Sequence, residues 1–565
     1  MGDAPVTPGT AGGDRRWWRR SGGTLIGAAL LVGAITLAAR AAGFVRWLVF
    51  ARTVGPGCLG DAYTTANQLP NVAFELTAGG MLAATVVPLV AGPMARGDLD
   101  RVRRSAAALL GWLLVLLVPL SVLTAVLSAP YARLMIPDRP DCPAATVDTA
   151  SGLLVWFAPQ VVLYGLAVWA SALLNAQHRF AAAASAPLLS TLVVAASYVA
   201  YGASGQVWVL GAGTTAGVLA LALTVLVPLG RSRIARRAQV PGSGSMVALR
   251  PTLRFPPGDG SIARRLTAAS LAALAAQQLA TTLLTYVGNR YGDAGTIALY
   301  SWANAIYLVP FAVLAAPIAT TMFPRFAESG GAPPATVAGS PRAASEFGRR
   351  VSGALRAALL AGCAGTALLV ATGPTVSLLF APQGPDHSRL ASAVTVLGLA
   401  LPGYAVLVLA GRALVARHRA AASAGMNTLA WVLVIVLAVV LGREWPGDRT
   451  VVSLGWAVVA GMTAGGLVGA IALRRDGWDR GLLRSLGSGV VAAALAGLGG
   501  RLLADRLPEP RAAISVVLVL LFVGAAVVLV LAGVVRLLDA PGLRGLRSAL
   551  SVERRPVRVD EDVAG

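Results

Sequence analysis

Apolar stretches long enough to cross a bilayer recur about fourteen times along this chain of 565 residues. They fall at roughly 24–50, 62–93, 105–135, 149–175, 180–202, 206–230, 265–288, 296–327, 350–380, 389–416, 420–442, 450–473, 482–504 and 511–537. Each should be a helix, because backbone polar groups must be satisfied internally in hydrocarbon. A chain that is 56% hydrophobic and 13% charged has too much apolar surface for a soluble protein of this size. The sequence predicts an all-α polytopic membrane protein.

Polar segments divide these stretches into groups. The longest, 231–264, is rich in Arg and predicts a cytoplasmic linker. The predicted order is a basic cytoplasmic tail at 1–22, an N-terminal six-helix lobe at 23–230, the linker at 231–264, a C-terminal six-helix lobe at 265–474, two extra transmembrane helices at 475–538 and a cytoplasmic tail at 539–565.

Short matches indicate that the two lobes are repeats. A match with an offset of 237 residues joins Ala62-Tyr-Thr-Thr-Ala-Asn67 to Leu299-Tyr-Ser-Trp-Ala-Asn304, which agree at Tyr, Ala and Asn. The first segment is followed by Val87-Pro88 and the second by Phe323-Pro324. His178-Arg179 and His418-Arg419 agree with an offset of 240. Two parallel lobes of this kind are related by a pseudo-twofold axis and can rock about a central cleft.

The basic charge of the chain follows its predicted topology. All 47 basic residues are Arg; with the N-terminus in the cytoplasm, 33 fall on cytoplasmic segments, ten on the opposite side and four within spans. This asymmetry is typical of the positive-inside rule. It predicts a plasma-membrane protein with both termini in the cytoplasm, and it explains the net charge of +22 without nucleic-acid binding.

Two of the in-span arginines, Arg40 and Arg46, lie in the first apolar stretch. A charged side chain at membrane depth costs at least ~2.5–3.5 kcal/mol and normally faces a bundle interior or a watery cavity. Two cations in one span indicate a cavity for an anionic ligand. Pairing with a carboxylate such as Asp61 or Glu75 is the structural alternative, and the two interpretations are compatible. Arg356 and Arg412 are the other in-span arginines.

Cysteine and histidine usage indicates no metal or redox centre. Cys58 and Cys142 fall in predicted external loops, where they could form a disulfide or remain separate thiols, and Cys363 lies in an apolar stretch. The three His are scattered, and the sequence predicts neither a metal site nor a cofactor. It also lacks a nucleotide-binding motif.

Several motifs resemble the MurJ (MviN) family of lipid II flippases, in the multidrug/oligosaccharidyl-lipid/polysaccharide exporter superfamily. The matching residues are Arg40, Gly43-Phe44, Arg46, Asp61-Ala62, Leu69-Pro-Asn71, Val87-Pro88, Pro159-Gln160, Tyr164-Gly-Leu166 and Leu174-Asn-Ala-Gln-His-Arg-Phe180. The resemblance implies a fourteen-helix transporter, not an enzyme. It also implies that the partner is a lipid-linked diphosphate glycan, lipid II in that family, which is moved by alternating access. Other cell-wall synthesis proteins are further candidate partners.

The resemblance also suggests a substrate-binding set. This set is Arg40, Arg46, Asp61, Asn67 and Asn304, with Arg52 and Glu75 as lesser candidates. A forked guanidinium suits a diphosphate because it can bind two anionic oxygens at once. On a straight helix, residues six apart point about 120° apart, and Gly43 allows a bend that could bring Arg40 and Arg46 together. Arg52 lies near the external end of its stretch, which slightly favours an interfacial anchor over a substrate contact.

Several charges of the family pattern are absent here. Trp47 stands where many members carry Asp, Phe74-Glu75 replaces an Arg-Arg pair, Gly79 replaces an acidic residue, and Asn304-Ala305 replaces Asp-Arg. These departures leave open an exporter of another lipid-linked glycan or of a drug, or a scaffold that no longer transports. An enzyme is disfavoured because the predicted outer loops are short.

Overall fold

The computed structural model describes residues 15–77, 89–90, 92–177, 179–232, 250–330, 341–381, 384–474, 480–508, 510 and 512–539. Nearly all of these residues are helical, and their one β feature is an isolated bridge between Gly292 and Gly447. The predicted all-α class is confirmed. The predicted motif residues Val87-Pro88, Gly79 and His178 lie outside the described residues.

Apart from one short helical turn at Gly92–Ala95, the helices follow the apolar stretches closely. In chain order they are α1 (Arg15–Thr53), α2 (Cys58–Glu75), α3 (Leu99–Val126), α4 (Ser128–Met135), α5 (Thr146–Ala176), α6 (Phe180–Ser204), α7 (Val207–Gly230), α8 (Asp259–Tyr291), α9 (Thr296–Pro310), α10 (Ala316–Gly330), α11 (Pro341–Phe380), α12 (Pro385–Gly398), α13 (Leu401–Ala416), α14 (Ala420–Glu444), α15 (Thr450–Ala472), α16 (Arg480–Arg506) and α17 (Ala513–Leu538). A π-helical turn at Phe311–Ala315 follows Pro310 and links α9 to α10.

Eleven helical stretches of the described residues are long and apolar enough to cross a membrane, and the pair α12–α13 makes up to twelve. That pair is bent by 42°, so the predicted stretch 389–416 is a broken span. The stretches predicted at 62–93 and 265–288 are not among the twelve, and the first includes residues outside the described ranges. The chain is a multi-pass membrane protein, and the count of fourteen stays a prediction.

The chain divides into two compact units. The first comprises Met1–Phe50, Ala73–Ala125 and Val155–Ala268, and the second comprises Ala51–Val72, Val126–Leu154 and Ala269–Gly565. This division differs from the predicted boundary at 231–264, because two pieces from the first half of the chain belong to the second unit. The six-helix lobes therefore stay a prediction.

In the first unit, the chain before α8 packs on α3. The Thr252 N–H donates to the Ala107 carbonyl at 3.1 Å, and the Trp112 indole donates to the Leu253 carbonyl at 3.1 Å. Helix α8 begins at Asp259 rather than at 265, and its first turn is tied to α3 by an Arg101–Asp259 ion pair of 2.6 Å. The described part of the predicted linker therefore packs on α3 and includes the first turns of α8.

In the second unit, close helix contacts depend on small residues. A Cβ added at Gly466 of α15 would lie 2.5 Å from the Gly403 carbonyl oxygen of α13, so these two helices meet backbone to backbone. Small residues allow this approach in membrane helices, where packing replaces the hydrophobic drive. The two C-terminal helices pack on α11 through a buried cluster, which comprises Ala367, Ala371, Ala496, Val523 and Val527.

Candidate functional site

The two predicted cavity arginines lie on α1, in the first unit. Arg40 is exposed and Arg46 is half-buried. The Arg46 guanidinium carbon lies 4.9 Å from the centre of the Trp47 ring. An aromatic face attracts a cation, so Trp47 supplies a neutral partner where many members of the resembled family carry a carboxylate. Helix α1 continues without interruption through Gly43.

Asp61 caps the N-terminus of α9 inside the second unit. Its carboxylate accepts the N–H groups of Gly295 at 2.7 Å and of Ile297 and Ala298 at 3.0 Å each. The first N–H groups of a helix have no partner within the helix, and a negative charge there also meets the positive end of the helix dipole. Asp61 is only 3% exposed. Its oxygens are therefore directed at α9.

Asp61 also lies near a cation of the loop before α5. The Arg139 guanidinium is 3.9 Å from its carboxylate.

Arg139 ties the loop before α5 to the turn between α8 and α9. Its guanidinium donates to the Gly292 carbonyl at 2.9 Å and pairs with Asp141 at 3.2 Å. Asp141 in turn accepts the Ala294 N–H at 2.8 Å. A Cys58–Cys142 disulfide joins the same loop to the first residue of α2, so the two cysteines are paired. These residues and Asp61 form one cluster, called here the Asp61–Arg139 cluster.

Polar side chains extend the contact between α2 and α8. The Asn289 amide donates to the Thr65 hydroxyl at 2.8 Å, and the Gln68 amide donates to the Thr281 hydroxyl at 3.3 Å. Asn67 is half-buried on α2, and its buried Oδ1 has no hydrogen-bond partner among the described residues. Amides in membrane helices often tie helices together, and here Asn289 and Gln68 do so.

The other predicted residues are distributed over both units. Asn304 is half-buried on α9, and Glu75 is exposed at the end of α2. Arg52 donates to the Leu379 carbonyl at 3.0 Å, so it satisfies a carbonyl at the C-terminus of α11. Arg40, Arg46 and Glu75 belong to the first unit, and Arg52, Asp61, Asn67 and Asn304 belong to the second.

A glycine is required at the start of α9. Gly295 has φ of +86°, and an added Cβ would collide with the Pro56 carbonyl oxygen. We expect Gly295→Ala to lower the apparent melting temperature of the purified protein clearly, because left-handed strain alone costs about 1–3 kcal/mol. Gly499→Ala is the control, since its Cβ would meet nothing within 4 Å, and it should leave the melting temperature nearly unchanged. Equal melting temperatures for the two variants would contradict the assignment.

Sequence reasoning missed a cavity of about 760 Å³ in the second unit. Its polar lining is Gln277 of α8, Arg412 of α13, and Ser423 and Asn427 of α14. The sequence identified Arg412 as an arginine within a span, and that placement was the signal that could have led to this site.

The fold defines a polytopic, all-α membrane protein, and comparison with known proteins is consistent with this class. The family model "Lipid II flippase MurJ" matches residues 50–332. A "Probable lipid II flippase MurJ" of Rhizobium meliloti (strain 1021) is 29% identical over 384 residues, which cover 66% of this chain and 68% of that protein.

Two solved structures share the fold. A lipid II flippase MurJ in an inward closed conformation superposes with a TM-score of 0.69 at 15% identity, over 90% of this chain and 99% of that one. A MATE family multidrug transporter of the MOP superfamily in an inward-facing conformation gives 0.62 at 15% identity, over 79% of this chain and 97% of that one. The chain belongs to the MurJ family. The matched stretch includes Arg52, Asp61, Asn67, Glu75 and Asn304, and it begins after Arg40 and Arg46.

Proposed function

We propose that this chain is a flippase that moves lipid II, a polyprenyl-diphosphate-linked peptidoglycan precursor, across the plasma membrane by alternating access. Membership of the MurJ family is the observation that carries the proposal. The two arginines of α1 support it, because guanidinium groups at membrane depth suit a diphosphate headgroup. The sequence contains no nucleotide-binding motif, so an ion gradient, the membrane potential or substrate supply would drive transport.

Complementation tests this proposal. The full chain should restore growth and cell shape to a bacterial strain depleted of its own lipid II flippase. Absence of rescue, with the protein present in the membrane at the level of a rescuing flippase, would contradict the proposal.

A second candidate is export of another amphiphile. The likeness to a MATE family multidrug transporter and the missing family charges at Trp47, Phe74 and Asn304 favour it. Reconstituted protein that moves other lipid-linked glycans or drugs, and leaves lipid II in its original leaflet, would support this candidate. A scaffold without transport would move none of these substrates.

Orientation is part of the proposal. We infer that both termini are cytoplasmic, because 33 of the 47 arginines then lie on the cytoplasmic side. The Cys58–Cys142 disulfide supports this side assignment, since disulfides persist outside the cytosol.

The orientation predicts a labelling pattern. In a background without free surface thiols, a cysteine placed at Pro140 should react with an impermeant reagent added outside the cell. One placed at Ser243, which lies outside the described residues, should react only after the membrane is opened. External labelling at Ser243 would contradict the proposed orientation and, with it, the proposed direction of transport.

A further inference from the structure

The cavity beside Arg412 lies entirely within the second unit. It has a volume of about 760 Å³, and α8, α10, α13 and α14 surround it. That volume lies within the range of pockets that bind small molecules. Four polar side chains, Gln277, Arg412, Ser423 and Asn427, converge on an otherwise apolar and aromatic lining that includes Tyr404 and Trp431.

Small residues form part of the cavity wall. Ala420, Ala421 and Ala424 of α14 line the cavity. The helices approach closely at Gly411, where an added Cβ would lie 3.2 Å from the Ser423 hydroxyl oxygen. Because the side chains of these alanines are short, they leave volume in the cavity for a ligand.

Arg412 is a half-buried cation on a membrane-spanning helix pair. No ion pair formed by the described residues includes it. A cation at membrane depth without a carboxylate partner is costly, and it is normally retained for a substrate or ion pathway. The cavity therefore has an excess of positive charge that an anionic group would neutralise.

The polar set defines the chemistry of that ligand. A guanidinium binds phosphate or carboxylate oxygens in pairs, whereas amides and a hydroxyl supply donors and acceptors suited to neutral polar groups such as sugar hydroxyls. A ligand that presents both kinds of group is an acidic glycan headgroup.

We propose that this cavity is a second headgroup subsite. In it, Arg412 holds an anionic group of a lipid-linked glycan, and Gln277 and Asn427 bind its neutral polar groups. This inference rests on the proposed function for the identity of the substrate. It adds a site in the second unit, remote in sequence from the arginines of α1.

Binding to the full-length protein in nanodiscs tests the subsite. The probes are lipid II, undecaprenyl diphosphate and phosphatidylglycerol, measured separately and in competition. We expect Arg412→Ala to weaken lipid II binding about tenfold or more, as loss of a charged hydrogen bond does. Asn427→Ala should weaken lipid II binding and leave undecaprenyl diphosphate binding unchanged, because only lipid II carries the sugars. Arg501→Ala is the matched control, since Arg501 of α16 pairs with Asp505 at 3.1 Å outside the cavity.

Wild-type affinity for lipid II in both Arg412→Ala and Asn427→Ala would overturn the subsite. Equal competition by phosphatidylglycerol would also overturn it, because the cavity would then be a phospholipid site. Rescue by the wild-type chain separates this inference from the proposed function. If the wild-type chain rescues growth and the Arg412→Ala variant binds lipid II with wild-type affinity, the subsite alone is refuted. If the wild-type chain binds lipid II, loses that binding in Arg412→Ala and does not rescue growth, flipping alone is refuted.

Discussion

Arg46→Ala should abolish rescue of a flippase-depleted strain while leaving the amount of protein in the membrane nearly unchanged. Removing a charge from the span relieves at least ~2.5–3.5 kcal/mol of insertion cost, which exceeds the roughly 0.5–2 kcal/mol of a cation–π contact such as that with Trp47, so a folding defect is not expected. Arg40→Ala should behave in the same way. The measurements are growth, cell shape and quantitative immunoblotting of membranes, with Arg501→Ala as the control on a helix outside the proposed sites.

Two further variants decide what Arg46 does. Arg46→Lys keeps the charge and loses the planar fork, so it should also fail if paired binding of diphosphate oxygens matters. If Arg46 serves only to neutralise Glu75, then Arg46→Ala combined with Glu75→Ala should transport normally. Restored rescue in that double variant would refute the diphosphate role.

Asp61→Ala should give the largest loss of stability among the substitutions of the second unit. The change leaves three N–H groups at the start of α9 without their acceptor, and each unsatisfied buried donor costs about 1–3 kcal/mol. It also leaves Arg139, whose side chain is 12% exposed, with Asp141 as its one remaining carboxylate partner among the described residues. The apparent melting temperature of the purified Asp61→Ala protein should fall by much more than the melting temperature of any variant with a surface substitution.

A graded series makes this prediction specific to helix capping. Asp61→Asn keeps one carbonyl acceptor, so its melting temperature should lie between those of Asp61→Ala and the wild type. Asp386→Asn is the control, because Asp386 forms an i,i+3 pair with Arg389 and its side chain is 39% exposed. A melting temperature for Asp61→Ala equal to that of Asp386→Asn would rule out a structural role and favour direct substrate contact.

Asp61 shows that a residue of a family motif need not contact the substrate. Asp61 belongs to the motif that resembles the family, and the sequence placed it near the substrate. The structure directs its oxygens to the backbone of α9. We therefore propose that Asp61 is a positioning residue, and that Asn67 and Asn304 stay candidates for substrate contact.

Much of the fold could be predicted from local sequence. The helices α5, α7 and α15 begin and end within about three residues of their predicted stretches. The physical reason is that a bilayer removes the alternatives, since an apolar stretch in hydrocarbon must satisfy its own backbone. The break between α12 and α13 was missed although Pro402, in the first turn of α13, is a local signal for it. The early start of α8 was missed because its first residue, Asp259, is tied to Arg101 of α3, which lies 158 residues away along the chain.

What the sequence determined by itself is therefore the class of the protein, its helices and the presence of charges within them. Tertiary structure alone decided which groups those charges meet. Asp61 and Gly295 are separated by 234 residues along the chain, Arg139 and Gly292 by 153, and Cys58 and Cys142 by 84. Cys58 and Cys142 became a disulfide, and Arg412 became part of a cavity, only through such contacts. Hydrophobicity is a local property that a window of residues records, whereas a hydrogen bond or an ion pair requires two groups that only the folded chain brings together.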